Sequence, residues 1–540
     1  MAQVQQRVLS AGLFLLFAAG ADAQRFYPDD PLWKEPPPLS VKQIDERKLS
    51  EYYDFLWHTL ATPGEKQPKN GKPIPAQAVN TLGEVPDSAW YTNRHGRVRM
   101  TVDELRRGPN TGHGPVRAGP WKVSKPKTIG VTPGFTIEDS GGQKYVIKVD
   151  PLENRNMATG AEVIGAKFFY ALGYWVPENY VVKFEREQLV VAAEATIVDV
   201  QGKRRAMHER DIDEILLHAP RDSDGRYLAV ASKHLPGKPM GSFRFHGTRT
   251  DDPNDVVAHE HRRDLRGLFV FCAWLGHNDV KSLNNFDSLI EENGAGSVRH
   301  NLFDFGAAFG SDSFTAKSPR AGNQYMFEVR PSLLQIVTLG LYVPRWAKAR
   351  YPKLPEVGRF ESDLFQPERW KPNYPNPAFD NRLPDDTFWA AKQVMAFRDE
   401  EIQAIVETGQ YTDPASADWI TRCLIARRDK IGRTYFARVL PLDGFEVADG
   451  RLVFEDLAAK YGFVPPREYR VQWSRFDNVS RVKTALAGAA GPMIPGEARI
   501  ARDGEYFAAD IRGEDPKKAV TAYLRRQNGG WVVVGLERTW

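Results

Sequence analysis

The residues best suited to chemistry lie in two short stretches near the middle of the 540-residue chain. The first stretch, His277-Asn278-Asp279-Val280-Lys281-Ser282-Leu283-Asn284, follows the apolar run 265–275 and a glycine. The second, Asn301-Leu302-Phe303-Asp304-Phe305-Gly306, is a strand-like segment that ends at an aspartate. Carboxylate and amide oxygens are ligands that hard divalent cations prefer, and a carboxylate can also align a hydroxyl group. These stretches therefore carry oxygen groups that suit a divalent cation or a hydroxyl group.

A lysine and a glutamate upstream have the order of an ion pair that faces such a site. Lys148 closes the strand-like run Tyr145-Val146-Ile147-Lys148, and Glu162 follows near the start of a helix predicted over 161–172. An ammonium group is a point charge suited to phosphates, and a carboxylate can orient it. Glu153 is the alternative partner. The simpler interpretations are an exposed strand lysine and a first-turn helix acid.

Taken together, these residues resemble the protein-kinase-like superfamily. The first stretch matches the catalytic loop H-R-D-L-x-x-x-N in its histidine, Asp279 and Asn284, and the second matches D-F-G at Asp304. Lys148 then corresponds to the lysine of the V-A-I-K strand, and Glu162 to the glutamate of helix αC. Each motif alone is weak, but their order and the step from Asp279 to Asn284 make the combination specific.

The resemblance implies a phosphotransferase that uses ATP or another nucleotide together with Mg²⁺ or Mn²⁺. It implies that Asn284 and Asp304 hold the metal, with Asn285 as the alternative if the loop is shifted by one residue. Lys148 would bind the nucleotide phosphates, oriented by Glu162. These four residues are the expected metal-binding and cofactor-binding set.

The same resemblance assigns catalytic roles within the first stretch. Asp279 would align the acceptor hydroxyl, and Lys281 would steady the moving phosphoryl group. Asn278 replaces the arginine that contacts a phosphorylated activation loop in many kinases, so that kind of switching is not expected. No A-P-E motif follows Gly306. The chain is therefore more similar to toxin-type, secretory-pathway and phosphoinositide-type kinases, and to a group of exported bacterial proteins.

A glycine-containing turn precedes the predicted lysine strand. Gly130 and Gly134 flank Pro133 in this turn, which does not match G-x-G-x-x-G. Proline removes one backbone donor that a phosphate-binding loop would use. Gly130 and Gly134 are therefore the expected, weaker equivalents of the kinase glycine loop.

Composition bounds the class of protein. Hydrophobic residues make up 42% of the chain and charged residues 26%, which is ordinary for globular proteins and excludes a disordered chain or a fibre. The formal net charge of +4 is small for this length and gives no reason to expect nucleic-acid binding. At about 150 residues per domain, the length predicts roughly three to four units.

The pattern of predicted elements indicates an α+β protein, and the resemblance implies a bilobal protein-kinase-like fold. We expect a Pro- and Trp-rich extension over 24–120, a β-rich N-lobe and hinge over 121–245, and a helical C-lobe over 246–440. Strand-like runs return over 443–540, which predicts a small β-rich or α+β appendage. The kinase resemblance covers only the two lobes.

The first 23 residues have the pattern of a secretory signal peptide. Arg7 precedes the apolar stretch 8–20, and Ala21-Asp22-Ala23 forms a small-x-small cleavage site before Gln24. The apolar stretch is shorter than the roughly 20 residues that a membrane span needs. We therefore expect an exported protein, periplasmic or extracellular, with no transmembrane span after cleavage.

Only two cysteines occur, although an exported protein of this size has the opportunity for many disulfides. Cys272 lies inside an apolar run, which favours a buried free thiol. A disulfide between Cys272 and Cys423 is the alternative.

The sequence leaves the acceptor open: a hydroxyl on a protein, a lipid or a glycan of the envelope. Two alternative functions remain beside hydroxyl phosphorylation. One is a pseudokinase or binding module of the cell envelope, and the other is transfer of a nucleotidyl (AMP) group by the same fold.

Overall fold

The computed structural model describes residues 24–127, 132–199, 201–329, 333, 337–339 and 341–540. The signal-peptide prediction over residues 1–23 and the glycine-loop prediction at Gly130 lie outside these residues. The chain divides into two compact units. The larger comprises Trp33–Val79 and Glu84–Arg438, and the smaller combines the described part of Met1–Leu32 with Asn80–Gly83 and Val439–Trp540.

The first part of the larger unit is a sheet with one long helix. Its elements in chain order are α1 (Glu51–Leu60), α2 (Val102–Arg107), β1 (Trp121–Pro126), β2 (Gly134–Glu138), β3 (Lys144–Val149), α3 (Met157–Ala171), β4 (Asn179–Phe184), β5 (Leu189–Val191), β6 (Thr196–Val198), β7 (Arg204–Ala206), α4 (Glu209–Leu216) and β8 (Tyr227–Lys233). Six strands form one sheet in the order β4-β8-β3-β2-β1-β5, while β6 and β7 form a separate hairpin. All neighbours in the six-stranded sheet are antiparallel except β1 and β5.

Alternation along β3 decides which way its lysine points. Tyr145, Ile147 and Val149 are buried in the apolar core on one face of the sheet. Successive side chains of a strand point to opposite faces, so Lys148 projects from the other face. There it meets α3 rather than solvent.

Helix α3 begins four residues before the predicted start at 161. The Asp150 carboxylate fixes this start because it accepts hydrogen bonds from the backbone N–H groups of Ala158 (2.8 Å) and Thr159 (2.9 Å). Glu162 therefore lies beyond the first turn, and the interpretation as a first-turn acid is wrong. The helix ends before Gly173, whose φ of +109° suits glycine.

The second part of the larger unit is mainly helical. It contains β9 (Lys238–Pro239), α5 (Arg263–Leu275), β10 (Asn285–Glu292), β11 (Ala295–Leu302), α6 (Pro377–Asp380), α7 (Pro384–Met395), α8 (Asp399–Glu407) and α9 (Pro414–Phe436). Every residue of α5 is buried, and the helix ends at Gly276 in a left-handed conformation. Strands β11, β10 and β9 form a small sheet beside it. The larger unit thus combines a β-rich first part with a mainly helical second part, in agreement with the predicted α+β class.

The smaller unit is a β-rich structure. It contains β12 (Leu442–Ala448), β13 (Arg451–Asp456), α10 (Leu457–Lys460), β14 (Arg470–Phe476), β15 (Lys483–Ala490), α11 (Gly496–Arg499), β16 (Tyr506–Arg512), β17 (Ala519–Gln527) and β18 (Gly530–Thr539). Five strands form an antiparallel sheet in the order β15-β14-β16-β17-β18. Phe26 packs on this sheet, with its ring centroid 5.2 Å from that of Tyr523.

Neither cysteine is paired. Cys272 and Cys423 are both free and buried, and burial raises the pKa of both thiols, that of Cys423 to about 11. Such thiols are protonated and unreactive near neutral pH. Across the described part of the chain, no helix combines the length and apolar character needed to span a bilayer.

Candidate functional site

One lysine joins the two parts of the larger unit through two carboxylates. Lys148 Nζ lies 3.0 Å from Glu162 Oε2 on α3 and 2.8 Å from Asp304 Oδ1 after β11. The side chain of Glu162 is 2% exposed and that of Asp304 is 34% exposed. Asp304 is therefore the acid of this cluster that is open to a ligand.

Glu162 also holds the turn that carries Asp304. Its carboxylate accepts hydrogen bonds from the backbone N–H groups of Phe305 (3.2 Å) and Gly306 (2.9 Å). Asp304 itself has a φ of +65°, in the left-handed region that non-glycine residues rarely adopt. One buried carboxylate thus fixes both Lys148 and the unusual backbone that presents Asp304.

The charges of this cluster stabilise each other. Burial alone would lower the pKa of Lys148, but the Asp304 and Glu162 carboxylates outweigh burial and raise it. Burial alone would raise the pKa of Asp304, but the Lys148 ammonium lowers it below its usual range. Both groups are therefore charged at neutral pH, which suits an ammonium for phosphates and a carboxylate for a cation.

The loop after α5 brings Asp279 and Asn284 together. Asn284 Nδ2 donates to Asp279 Oδ2 at 2.9 Å and to the Asp279 carbonyl at 2.7 Å. The backbone carbonyl of Asn284 accepts from Phe303 N–H, next to Asp304. Burial and the nearby Asp304 carboxylate raise the pKa of Asp279, while Lys281 opposes this rise. The loop and the Asp304 turn thus lie side by side.

Lys281 lies near the Asp279 carboxylate oxygen that Asn284 does not contact. Its Nζ lies 3.4 Å from Asp279 Oδ1 and also forms an ion pair with Glu51 at the start of α1. The Asp279 and Glu51 carboxylates raise the pKa of Lys281, although burial opposes them. The predicted catalytic lysine is therefore charged, and the N-terminal extension contributes a carboxylate beside it.

Asn285, the alternative to Asn284, forms a hydrogen bond away from the Lys148 cluster. Its side-chain oxygen accepts a hydrogen bond from Phe243 N–H at 2.7 Å in a fully buried position. Glu153, the alternative to Glu162, is exposed. Neither alternative residue belongs to the cluster around Lys148.

Gly134 has a packing role that the sequence did not indicate. It pairs with Lys148 across β2 and β3, and a Cβ atom at this position would lie 2.0 Å from the Ile147 carbonyl oxygen. No larger residue fits there without moving the lysine strand. Gly134 therefore positions Lys148 through the sheet.

Three further polar residues contact the site, and no sequence motif predicted them. Asn373 Nδ2 donates to Asp279 Oδ1 at 2.9 Å. Lys317 is buried and donates to the Gly276 carbonyl at 3.1 Å, to the Asn278 side chain and to the Ala307 carbonyl. Lys127 Nζ donates to the Thr132 carbonyl at 3.2 Å, and its pKa is lowered by burial and by Lys148.

Lys317 supports the loop from behind. Burial lowers its pKa to about 8, although the Asp312 and Asp279 carboxylates oppose this shift. Its contact with Asn278 links the segment after Asp304 to the loop that carries Asp279.

The residues present fit a divalent cation only with help from a ligand. No group of three or more His, Cys, Asp or Glu side chains is arranged to hold a metal among the residues described. Mg²⁺ is commonly bound by one or two protein carboxylates plus phosphate oxygens and water. Asp304 and Asn284 match that pattern, since each offers oxygen atoms at the same edge of the site.

The space beside Lys148 is small. The cavity lined by Lys148, Glu162, Asp304 and Thr132 has a volume of about 10 Å³, enough for about one water molecule.

Comparison with known proteins gives a limited result. No family model and no curated protein matches the chain. Among solved structures, the Helicobacter pylori proinflammatory kinase CtkA is 11% identical, with 60% of this chain and 97% of that chain covered and a TM-score of 0.33. A Golgi casein kinase with Mn/ADP bound is 11% identical, with coverages of 63% and 74% and a TM-score of 0.29.

Proposed function

We propose that the chain is a kinase-like phosphotransferase that moves a phosphoryl group from a nucleoside triphosphate to a hydroxyl, with a divalent cation. The observation that carries this proposal is the double contact of Lys148 Nζ, 3.0 Å from Glu162 and 2.8 Å from Asp304. Burying a lysine between two carboxylates carries a desolvation penalty, and such charged clusters often belong to functional sites. The ligand that suits the lysine's positive charge is a phosphate.

In the proposed reaction, Lys148 holds the phosphate chain of the donor while Glu162 keeps the ammonium group in place. A cation held by Asp304 and Asn284 would neutralise charge on the β- and γ-phosphates. Lys127, at the end of β1, adds a positive potential from the sheet side. These residues bind and orient the donor, and no covalent enzyme intermediate is needed.

The Asp279 carboxylate would accept a hydrogen bond from the acceptor hydroxyl. Its Oδ1 and Oδ2 atoms accept hydrogen bonds from Asn373 and Asn284, which fix the carboxylate plane. The acceptor hydroxyl forms a new bond to the γ-phosphorus, the bond between that phosphorus and the β–γ bridging oxygen breaks, and the hydroxyl proton passes to Asp279. Lys281, 3.4 Å from Asp279, would stabilise negative charge on the transferred group.

A label-transfer assay tests this function. The full chain is incubated with Mg²⁺ or Mn²⁺ and ATP labelled at the γ-phosphate, with its own hydroxyls or envelope extracts as acceptors. We expect transfer that is lost in Lys148→Met and Asp304→Asn. Lys144→Met is the matched control, since Lys144 is an exposed lysine on the same strand. Transfer that survives in both site variants would overturn the proposal.

Label at the α-phosphate separates the nucleotidyl alternative. Transfer of α-label with loss of γ-label would show that AMP is transferred, since only then does the α-phosphorus stay with the acceptor. Transfer of γ-label alone supports phosphorylation.

A binding module that keeps the kinase fold is the second candidate. The small volume beside Lys148, about 10 Å³, favours it, because a triphosphate needs more room than this. Absence of any label transfer that depends on Asp304 or Asp279 would support this candidate, which requires no role for Asp279.

We also propose that the protein is exported, on the strength of the pattern over residues 1–23. Expression in a bacterial host with fractionation of the envelope tests this. N-terminal sequencing of the mature protein should begin at Gln24. Recovery of the uncut chain from the cytoplasm alone would overturn export but not the chemistry.

A further inference from the structure

A second cavity in the larger unit has the character of an anion site. Its volume is about 200 Å³, and its lining shares no residue with the cavity beside Lys148. Five cationic side chains line it, against one acid, Glu361. The cations are Lys317, Arg345, Arg359, Arg369 and Arg427.

These cationic groups have carboxylates nearby but are not held in ion pairs in the described structure. Within the part of the chain that the structure describes, none of the five forms an ion pair with a carboxylate. The one acid is partly used, because Glu361 Oε2 accepts a hydrogen bond from Leu364 N–H at 2.7 Å. Positive side chains in proteins are normally spread over the surface or paired with carboxylates. A cluster of cationic side chains without ion pairs around a cavity therefore indicates an anionic ligand.

Arg427 forms a fixed wall of this cavity. Its guanidinium is buried and donates to the backbone carbonyls of Glu361 (2.7 Å) and Ala273 (3.1 Å). It also lies 4.1 Å from the ring centroid of Phe360 and 4.3 Å from that of Phe365. Burial lowers the pKa of Arg427 to about 10. A positive charge held in apolar surroundings acts strongly on an anion placed nearby.

Arg359 is also anchored to the backbone. Its Nη1 donates to the Lys317 carbonyl at 2.7 Å, and its own N–H donates to Gly310 at 3.0 Å. Gly310 and Gly358 lie so close that a Cβ on Gly358 would come within 2.0 Å of the Gly310 carbonyl carbon. The crossing of these two segments therefore sets the position of Arg359.

Aromatic rings supply the remaining walls. Trp346 and Trp370 line the cavity together with Tyr342 and Tyr351. The Trp346 indole N–H is buried and has no hydrogen-bond partner, so a donor is left for a ligand. Arginine and aromatic groups side by side recognise a phosphate attached to a ring.

We propose that this cavity binds a phosphate-bearing ligand, with the phosphate against Arg345, Arg359 and Arg369 and an attached ring against the tryptophans. The site lies next to the catalytic loop, because Lys317 lines the cavity and also contacts Asn278 and Gly276. It is separate from the nucleotide site and does not depend on the proposed transfer reaction.

Calorimetric titration of the full chain with inorganic phosphate and with phenyl phosphate tests this inference. The Lys148→Met protein is used so that phosphate binding beside Lys148 is removed. We expect one binding site, with phenyl phosphate bound at least ten-fold more tightly than inorganic phosphate. Equal affinities would support a site for free phosphate and overturn the role of the rings.

Substitutions of lining residues test whether the phosphate probes bind in this cavity. Arg345→Gln with Arg369→Gln should weaken binding of either probe at least ten-fold, and both side chains are exposed, so the fold should not depend on them. Arg117→Gln, an exposed arginine on the N-lobe side, is the control. Absence of binding to Lys148→Met, or undiminished binding by the double variant, would overturn the proposed site. Either failure would leave the label-transfer test of Lys148 and Asp304 unaffected.

Discussion

Asp279 accepts two amide hydrogen bonds and faces a lysine, so its role can be separated from donor binding. Asp279→Asn removes the charge that receives the hydroxyl proton but keeps the shape of the side chain. We expect turnover to fall by about 10²- to 10⁴-fold, the usual contribution of a general base. Nucleotide affinity, measured by calorimetry, should change less than about three-fold. Equal loss of affinity and turnover would contradict this separation.

His277 is a buried residue of the loop that carries Asp279. Its ring lies 5.9 Å, centroid to centroid, from Phe169 and from Phe305. Burial, helped by the Lys317 ammonium, lowers the pKa of His277 to about 3. These contacts give the histidine a structural role through packing.

The shift at His277 predicts a pH dependence of stability. Below about pH 6.5 the unfolded chain binds a proton at this residue that the folded chain does not, so stability falls as pH falls from about 6.5 towards 3. At pH 4.5 this contributes a loss of about 2–3 kcal/mol. Urea unfolding of His277→Phe should show a weaker loss between pH 7 and 4.5. The exposed His113→Phe is the control, and identical pH profiles for wild type and His277→Phe would contradict the prediction.

The sequence predicted the residues with a fixed spacing in a motif and missed those without one. Lys148, Glu162, Asp279, Asn284 and Asp304 were proposed from order and spacing, and the structure brings them together. Asn373 and Lys317 reach the loop from 94 and 39 residues away, through contacts that no local pattern encodes. Their positions depend on how the segment after Asp304 folds back.

At the scale of elements, α3 packs directly on the Asp304 turn. A Cβ atom on Gly165 would lie 2.7 Å from Phe305 Cβ, which is closer than real contacts allow. Glycine in a helix normally costs about 1 kcal/mol relative to alanine, so packing on Phe305 is the reason for glycine here.

Gly165→Ala should therefore disturb the turn despite better helix propensity. We expect the clash to cost about 1–3 kcal/mol and label transfer to fall more than ten-fold, since Phe305 precedes the Gly306 amide that Glu162 holds. Thermal unfolding and the label-transfer assay measure the two effects. Gly112→Ala is the control, because no atom lies within 4 Å of its Cβ position. Wild-type activity in Gly165→Ala would show that the turn tolerates displacement.

The strand that ends in Lys148 and the helix that carries Glu162 were predictable because hydrophobic periodicity is local. The predicted helix over 161–172 was too short at its start, because the Asp150 carboxylate that caps it lies outside the helical pattern. The role of Gly134 was also not predictable, since the close approach of β2 to β3 is visible only once the strands are paired. Capping by a distant side chain and close packing between strands depend on tertiary structure, so hydrophobic periodicity does not predict them.

At the scale of the whole molecule, the smaller unit is built from distant parts of the chain. Phe26 is 2% exposed and its ring lies 6.0 Å from Phe476 and 5.2 Å from Tyr523, centroid to centroid. Arg25 forms an ion pair with Glu537 at 2.7 Å. The sequence placed residues 24–32 in an extension and gave no sign of this pairing.

Phe26→Ala should destabilise the smaller unit selectively. Loss of a buried phenylalanine costs about 3–5 kcal/mol. Hydrogen exchange should accelerate in peptides from β16, β17 and β18, while peptides from α5 in the larger unit stay protected. Tyr27→Ala is the control, since that ring is 51% exposed. Uniform acceleration in both units would contradict selective destabilisation.

The insertion of Phe26 into strands near the far end of the chain has a consequence for biosynthesis. Residues 24–32 leave the ribosome early, yet the sheet that covers Phe26 emerges only with the last seventy or so residues. During most of translation this aromatic side chain has no native surface to bury against. A chaperone that binds exposed aromatics would meet it early, and a prematurely terminated chain would keep it uncovered and thus be marked for degradation.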